Sequence, residues 1–415
     1  MPLQPSLFAN TTELRLVPRK SMHSQKLANG KLNMPISVVF IITGIGSGGA
    51  EGMLYRLLSR LDRTRFTAKV ISLVDLGPTP IVEKIQALGV PIRFLGMVPG
   101  RLNPLSVLRL ARWLREDKPD LISTWQYHAD LIGGLAARMA GGIPVAWGIR
   151  QTDLNPEGNG RLTFLTVRMC ARLSRWLPEK IICCSLASRQ VHAALGYAAE
   201  KMVVIPNGYD LGTFRPDSAA REAIREELGI PEDAPVIGLV ARFHPQKDHR
   251  TFILAARSLH KDRPEVYFVL CGHEVNWENK ELTRWIDEAG IRKRVYLLGR
   301  RDDIPKLTAA FDIACLSSSY GEGFPNVVSE AMSCGVPCVV TDVGDAAFIV
   351  GNTGQVVEPR NPNALAESLR GLVELGQEGR SRLGIAARQR VKEEFNLPQI
   401  VERYESLFQE LTCSE

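Results

Sequence analysis

The sequence predicts an α/β protein with two doubly wound, Rossmann-like domains of parallel strands that face a central cleft. Its 415 residues exceed what a single core normally fills, because cores stop growing near about 250–300 residues. Short, continuously apolar segments alternate with longer amphipathic ones, the pattern of parallel strands covered by helices on both faces. This alternation occurs in two series, separated by a stretch rich in proline.

The first series predicts domain 35–207. Its expected strands are 37–42, 68–74, 90–94, 120–124, 144–148, 180–184 and 202–205. Its expected helices are 50–61, 104–115, 130–139 and 160–176. Segment 206–235 holds four prolines and no strand candidate, so we interpret it as the connection between domains.

The second series predicts domain 208–396. Its expected strands are 236–240, 266–271, 295–298, 313–317 and 337–341. Its expected helices are 251–260, 280–289, 304–310, 327–333 and 364–375. Doubly wound sheets bind ligands beyond the carboxyl ends of their strands, so the functional residues are expected at those ends.

Composition and charge exclude several classes of protein. Hydrophobic residues make up 45% of the chain, which excludes disorder throughout. The net charge is +6, but residues 1–34, an expected disordered basic tail, carry +4 of it, and the remainder is too balanced for a nucleic-acid partner. The eight cysteines are irregularly spaced and lack zinc-site spacing, so we expect reduced thiols, a cytoplasmic location and no metal. No apolar run is long enough to span a membrane.

A glycine-rich loop follows the first expected strand. Gly44, Gly46 and Gly49 fit the dinucleotide-binding pattern G-x-G-x-x-G between a strand and a helix. Asp75, the candidate ribose acid, lies 26 residues after Gly49, somewhat far for that role. A purely structural turn is the alternative. In every functional interpretation, this loop is a tight turn that lets the backbone approach a ligand at the N-terminus of the following helix.

Two basic residues follow the first strand of the second series. Arg242 and Lys247 are five positions apart, where ligands are expected. A planar guanidinium and a mobile ammonium together suit a diphosphate, whereas the alternative is two solvated surface charges.

The most specific segment is 319–331. Gly323 permits close backbone approach, and Pro325 suits the first turn of a helix whose free N–H groups can meet an anion. Glu322 and Glu330 flank that turn, and carboxylates accept hydrogen bonds from the hydroxyls of a sugar or a ribose. Their alternative role is to cap the helix.

With these motifs together, the chain resembles the retaining family-4 glycosyltransferases, which have the two-domain GT-B fold. The spacing of Glu322 and Glu330 matches the family's E-x7-E motif, and Arg242 with Lys247 matches its R-x4-K pair. Further matches are G-G-A-E at 48–51, P-N-G-x-D at 206–210 and T-D-x-G at 341–344. The matching segments run in family order from about residue 36 to 359.

The resemblance implies a role for each matching residue. Glu330 would bind the ribose of a nucleotide-sugar donor, Glu322 would lie beside the donor sugar, and Arg242 and Lys247 would stabilise the leaving diphosphate. His128 would lie near the anomeric carbon, although a lone histidine is more often structural. The other implied residues are Gly323, Phe324, Asn326 and Val327 for the donor, and Gly46, Gly48 and Gly49 for the acceptor or phosphate loop.

The implied reaction transfers a hexosyl group from a UDP- or GDP-sugar to a hydroxyl of a glycan or lipid-linked acceptor, with retention of configuration. It belongs to cell-surface polysaccharide or glycoconjugate biosynthesis. The reaction would need no metal and no cofactor. We assign no carboxylate as a catalytic nucleophile, because no second acid lies where a retaining hydrolase would need one. The alternatives are a sugar epimerase or phosphorylase on the same fold, an NAD-dependent oxidoreductase that uses the first glycine loop, and a non-catalytic nucleotide-sugar-binding protein.

Acceptor and membrane contacts are expected on the first domain, where Arg150 and Asp153 are further candidates. Four arginines of helix 160–176 fall within about 60° of each other around its axis: Arg161, Arg168, Arg172 and Arg175. They form either a solvated face or a surface for anionic lipid, which would make the protein peripheral on the inner face of the membrane. The resemblance also implies that the C-terminal helix, 397–412, packs back on the first domain.

Overall fold

The structure, a computed structural model, describes residues 34–46, 48–98, 103–152 and 160–413. Residues 1–33 of the expected tail, Ser47 of the first glycine loop and the acceptor candidate Asp153 lie outside the described residues. The described residues form two parallel sheets, each covered by helices on both faces, as the sequence predicts.

The first sheet has seven parallel strands in the order β3-β2-β1-β4-β5-β6-β7. They are β1 (Ile36–Ile42), β2 (Phe66–Val74), β3 (Ile92–Met97), β4 (Leu121–Trp125), β5 (Val145–Ile149), β6 (Lys180–Cys183) and β7 (Met202–Val204). The helices are α1 (Gly49–Arg60), α2 (Pro80–Ala87), α3 (Pro104–Asp117), α4 (Tyr127–Met139), α5 (Arg161–Leu173) and α6 (Leu186–Ala194). The strand order reverses between β1 and β4, so a crevice opens at their carboxyl ends.

The second sheet has six parallel strands in the order β10-β9-β8-β11-β12-β13. They are β8 (Val236–Val240), β9 (Tyr267–Cys271), β10 (Val295–Leu297), β11 (Ile313–Leu316), β12 (Cys338–Thr341) and β13 (Gln355–Val357). The remaining helices are α7 (Ser218–Leu228), α8 (His249–Asp262), α9 (Lys280–Ala289), α10 (Ile304–Ala309), α11 (Asn326–Ser333), α12 (Ala346–Val350), α13 (Pro362–Glu374), α14 (Gly376–Glu394) and α15 (Leu397–Cys413). Its switch point lies between β8 and β11.

The connection 206–235 is more structured than the sequence interpretation allows. It contains α7, which begins where the Asp217 side chain accepts a hydrogen bond from Ala220 N and ends at Gly229 with φ +63°. Its apolar side joins the core of the second sheet through Ile224. The prolines flank this helix rather than interrupt it, and proline is tolerated outside a helix.

Helix α15 follows the second sheet in sequence but packs on the first. Its buried Tyr404 and Phe408 belong to the core cluster that holds Phe40 and Phe66. The ring centroids of Phe40 and Phe408 are 6.0 Å apart in an edge-to-face arrangement. Burying such side chains contributes about 1.5–3 kcal/mol each, so the end of the chain is held on the first domain.

Two further helices, α2 and α6, lie in the first domain where the sequence reading has none. Both begin at local capping signals: Thr79 accepts a hydrogen bond from Val82 N, and Ser185 and Ser188 form a capping box. Among the described residues, no helix combines the length and apolarity that crossing a bilayer requires.

Candidate functional site

The carboxyl ends of both sheets face a shared cleft of about 530 Å³, a volume typical of a small-molecule site. On the first domain it is lined by the glycine loop, Gln126 and Gln151. On the second domain it is lined by Arg242, Lys247 and the loop that begins at Gly321. Residues from two separately folded sheets therefore form one site.

Hydrogen bonds to neighbouring segments of the second domain hold the loop between β11 and α11 in place. Ser317 Oγ donates to Lys247 O at 2.7 Å, and Thr341 Oγ1 donates to Ser318 O at 2.6 Å. Gly344, at φ +62°, lies so close that a side chain there would overlap the carbonyl oxygen of Glu322. The backbone around Glu322 is thus fixed before a ligand arrives.

Lys247 and Glu322 form the central ion pair of the cleft. Lys247 Nζ is 2.5 Å from Glu322 Oε1, and Ser318 Oγ donates to the same oxygen at 2.6 Å. Glu322 is 8% exposed. A carboxylate with two donors on one oxygen keeps its other oxygen for a ligand hydroxyl.

Arg242 is the second cation of the cleft. It is exposed, and no side-chain hydrogen bond or ion pair holds it among the described residues. Lys247 ends a short 3-10 turn that follows Arg242. An anion in the cleft therefore meets one fixed ammonium and one mobile guanidinium, which suits a diphosphate.

The start of α11 lies against the segment that joins the domains. Asn326 Oδ1 accepts hydrogen bonds from Asn207 Nδ2 at 2.9 Å and from Tyr209 OH at 2.5 Å. The ring of Phe324 stacks on Tyr209, with centroids 6.3 Å apart, whereas Gly323 faces the first domain near Cys184 Sγ. Gly323, Phe324 and Asn326 all line the cleft.

Glu330 and Val327 lie beside the cleft rather than in its lining. Both line a small cavity of about 20 Å³ between α11 and the sheet. Glu330 Oε1 is 3.8 Å from Arg56 Nη2 of α1, and burial raises the pKa of Glu330 despite this guanidinium. Arg56 also donates to Gly208 O at 2.9 Å. No local sequence motif marks Arg56, so its place beside Glu330 cannot be predicted from the sequence.

The first glycine loop approaches α11 across the cleft. Gly48 and Gly49 line the cleft, and Gly46 does not. A Cβ at Gly49 would lie 2.8 Å from Asn326 Nδ2, so only glycine allows this approach without displacing the amide. Glu51, in the first turn of α1, is 3.5 Å from Gln126 Nε2.

His128 lines a separate pocket of about 220 Å³ in the first domain. Gln126, Arg150 and Gln151 line both this pocket and the cleft, so the two cavities adjoin. Burial lowers the pKa of His128. The structure therefore places the predicted catalytic histidine next to the cleft that holds Glu322.

The segment that carries His128 is anchored from behind. His192 Nδ1 donates to the carbonyl oxygen of Ser188 at 2.7 Å, so this nitrogen carries the proton of the neutral ring. His192 Nε2 is then the acceptor for Tyr127 OH, which donates to it at 2.7 Å. Burial lowers the pKa of His192 to about 4, so this ring is neutral at neutral pH. Gln126 has φ +77°, a backbone conformation that non-glycine residues rarely adopt and that often marks functional sites.

Two further contacts cross the cleft. Thr152 Oγ1 donates to Glu322 O at 2.6 Å. The Asp345 carboxylate caps α6 of the other domain, accepting from Leu186 N at 2.7 Å and Ala187 N at 2.8 Å. Burial raises the pKa of Asp345 to about 6. Neither contact has a sequence signal, since both depend on how the domains dock.

Metal-ligand clusters are absent from the part of the chain that the structure describes: no three His, Cys, Asp or Glu side chains group in a way that could hold an ion. The cationic side chains that line the cleft are Arg150, Arg242 and Lys247.

Asp130 provides a pH-dependent prediction next to the site. It is fully buried, accepts from Thr124 Oγ1 at 2.6 Å and from Gly148 N at 3.1 Å, and burial raises its pKa from 3.8 to about 7. The unfolded chain therefore loses this proton near pH 3.8, and the folded protein keeps it until about pH 7. The stability that the proton contributes is present below that range and is lost as the pH rises through it.

We expect Asp130→Asn to remove this pH dependence. Relative to the variant, the wild type should lose up to about 1.4 kcal/mol of unfolding free energy per pH unit across the range. Urea unfolding at four pH values between about 4 and 7.5 measures the difference. Asp233→Asn, an exposed control, should parallel the wild type. A constant difference between Asp130→Asn and the wild type would contradict the expectation.

Comparison with known proteins adds two family matches and several relatives. The family model for glycosyl transferases group 1 matches residues 220–390, and the model for glycosyltransferase family 4 matches residues 47–213. The chain is 30% identical over 319 residues to the glycosyltransferase EpsF of Bacillus subtilis, covering 74% of this chain and 79% of that protein.

A second relative is the UDP-Gal:alpha-D-GlcNAc-diphosphoundecaprenol alpha-1,3-galactosyltransferase of Escherichia coli. It is 27% identical over 250 residues, which cover 60% of this chain and 64% of that protein. Among solved structures, Anabaena HepE in complex with UDP superposes with a TM-score of 0.80 and 25% identity over 90% of this chain and 100% of HepE. WaaG, with a TM-score of 0.69 and 16% identity over 89% of this chain and 99% of its own, shares the fold.

Proposed function

Because the chain belongs to the group 1 glycosyl transferases and has their GT-B fold, we propose that it moves a hexosyl group from a nucleotide sugar to an acceptor hydroxyl with retention of configuration. The observation that carries the proposal is the Lys247–Glu322 ion pair, which faces Arg242 in the interdomain cleft. HepE, of the same fold, binds UDP and UDP-glucose, so the proposed donor is a UDP-sugar, with a GDP-sugar as the alternative.

The donor's diphosphate would lie between Arg242 and Lys247, with its sugar against Glu322 and the backbone of Gly323 and Phe324. Glu330 would accept hydrogen bonds from the ribose hydroxyls. Burial raises the pKa of Glu330, and the Arg56 guanidinium 3.8 Å away acts in the opposite direction, so Arg56 favours the ionised form. This donor arrangement uses residues of both domains, so docking of the domains is part of the site.

In the proposed reaction, the bond between the anomeric carbon and the β-phosphate oxygen breaks as the acceptor oxygen bonds to the same face of that carbon. The acceptor's proton passes to the departing diphosphate. Negative charge develops on the diphosphate in the transition state, where Arg242 and Lys247 stabilise it. We propose that these cations, and not a metal ion, supply that stabilisation.

The proposed acceptor is a glycan or a lipid-linked sugar. The relative from Escherichia coli is named for an acceptor linked through a diphosphate to undecaprenol. His128, in the pocket beside the cleft, would lie near the acceptor hydroxyl. The products would belong to cell-surface polysaccharide or glycoconjugate biosynthesis.

Nucleotide binding tests the proposal. A ligand present at 100 times its Kd adds about 2.7 kcal/mol to stability, enough to raise the thermal midpoint clearly. We expect UDP or GDP to raise it and NAD to leave it unchanged. Stabilisation by NAD alone would overturn the assignment. Release of UDP from UDP-glucose that depends on an added acceptor would separate a transferase from a non-catalytic binding protein.

We also propose that the protein rests on the inner face of the membrane through α5. Arg161, Arg168 and Arg172 are exposed on this helix, beside exposed Leu165 and Met169. No ion pair neutralises these arginines among the described residues. Basic and apolar groups on one surface suit an anionic bilayer.

Flotation with lipid vesicles tests the membrane contact. At low salt we expect binding to phosphatidylglycerol vesicles and little binding to phosphatidylcholine. Each basic side chain near an anionic surface contributes about 1 kcal/mol, so Arg168→Gln with Arg172→Gln should weaken binding by over about tenfold. Arg284→Gln with Arg382→Gln, exposed on the second domain, is the matched control. Equal binding by both double variants would refute the assignment to α5.

A further inference from the structure

The pocket of about 220 Å³ that His128 lines, beside the cleft, has a positive charge from Arg150. It lies at the carboxyl ends of β1, β4 and β5, and its lining includes Thr43, Gln126 and His128. Among its described lining residues, Arg150 is the one formally charged side chain and none is a carboxylate. These residues therefore give the pocket a positive charge that Arg242 and Lys247 do not supply.

Arg150 has no counterion among the residues that the structure describes. Its guanidinium carbon lies 3.7 Å from the ring centroid of Trp125, and its Nη2 donates to Tyr404 OH at 2.5 Å. Its Nε and Nη1 are shielded from solvent and have no hydrogen-bond partner. The described residues offer it no ion pair. Burying cationic N–H groups without an acceptor costs free energy. A ligand that brings an oxygen acceptor to Arg150 would remove that cost.

Among the described residues, Asp130 is close enough to interact electrostatically with Arg150 but does not fill that role. Asp130 lies behind the pocket, and its Oδ1 accepts from Thr124 Oγ1 and Gly148 N. Burial raises its pKa to about 7, so much of it is protonated at neutral pH. Aromatic stacking on Trp125 offsets part of the cost of Arg150 but supplies no hydrogen-bond acceptor.

Resting on the proposed glycosyltransferase function, we infer that this pocket binds the acceptor through an anionic group, a phosphate or a carboxylate, that pairs with Arg150. The buried Thr43 Oγ1, which also has no partner, offers a second hydrogen bond. Arg150 lies where the pocket and the cleft adjoin, whereas Arg242 and Lys247 line the cleft alone, so in this arrangement the acceptor's anion pairs with Arg150 and the donor's diphosphate with the other two cations.

The geometry connects this anion site to the reaction. Gln126 lines both cavities and holds a φ of +77° at their junction. An acceptor anchored at Arg150 can extend past Gln126, so that its hydroxyl reaches the donor sugar at Glu322. Arg150 thereby selects the acceptor, and it takes no part in breaking the donor bond.

Calorimetric titration of the full chain, saturated with UDP, tests the inference. The probes are glucose 1-phosphate, glucuronate and glucose. We expect the Kd of at least one anionic sugar to be lower than that of glucose by about tenfold or more. Comparison of the phosphate and carboxylate probes then identifies which anion the pocket takes.

Three variants assign that preference to Arg150. Arg150→Gln should abolish it, while UDP, whose diphosphate pairs with Arg242 and Lys247, still binds. Arg150→Lys keeps the charge but loses the planar fork, and should weaken binding of the anionic sugar about three- to tenfold without changing glucose binding. Tyr404→Phe removes the hydrogen bond to Arg150 but leaves the cation, and should keep the preference.

The outcomes separate this inference from the proposed function. If UDP binds but the anionic sugars bind no better than glucose, or bind equally to Arg150→Gln and the wild type, the anion site is refuted and the transferase assignment stands. Unchanged anion affinity in Arg150→Lys would refute it even if Arg150→Gln failed to fold. If neither UDP nor GDP binds, the proposed function fails.

Discussion

Arg242→Met is expected to lower kcat by on the order of 100-fold while leaving the protein folded. The guanidinium is exposed and bonds to no other side chain among the described residues, so its removal breaks no structural contact. Its proposed partner is the diphosphate, whose negative charge grows as the donor bond breaks. Losing an interaction made mainly in the transition state should lower kcat and kcat/KM together.

The measurement is steady-state release of UDP with a fixed acceptor, together with the thermal midpoint. Arg250→Met, an equally exposed arginine at the start of α8, is the matched control and should keep normal activity. Turnover by Arg242→Met within about threefold of the wild type would remove Arg242 from the site. Lys247 is a less direct test, because its loss also leaves the buried Glu322 without its ion pair.

Asp312→Ala is expected to destabilise the protein by about 3–5 kcal/mol. The carboxylate of Asp312 accepts from Arg221 at 2.8 Å, from Arg225 at 2.7 Å and from Val236 N at 2.8 Å. Arg225 is 4% exposed, and burial lowers its pKa. Removing Asp312 would leave a buried guanidinium without an anion, at the start of β8.

Urea unfolding, followed by circular dichroism, measures this loss. Asp287→Ala is the control, since Asp287 pairs with Arg292 at 2.8 Å on the surface, where its side chain is 49% exposed. Exposed pairs contribute about 0–1 kcal/mol, so the control should change little. Equal losses in the two variants would show that the buried cluster does not stabilise the second domain.

The parts of the site that the sequence predicts are local. Gly48, Arg242 and Glu322 follow apolar strands within a few residues, and parallel strands bring their carboxyl ends to one edge. Each lies in a short motif, so neighbours in sequence are enough to place it at the cleft. The structure brings all three into one lining, together with Lys247 and Asn326.

The parts that the sequence does not predict join distant segments. Arg56 meets Glu330, and Arg150 meets Tyr404, across more than 250 residues in both cases. The same limit applies to α7. Its local signals are only a cap and a terminal glycine, whereas its stability depends on Ile224, which packs in a core built from other segments.

By itself, the sequence determined the fold class, the two sheets and the motifs around the cleft, because strand hydrophobicity, turn residues and loop chemistry act over about ten residues or fewer. Only the tertiary structure decided which charges are paired. Folding of the second domain pairs Glu322 with Lys247, and docking of the domains sets Arg56 beside Glu330. Folding of the first domain leaves Arg150 beside a pocket that has no carboxylate among its described lining residues. The physical reason is that ion pairing and desolvation depend on distances of a few ångströms between segments far apart in the chain.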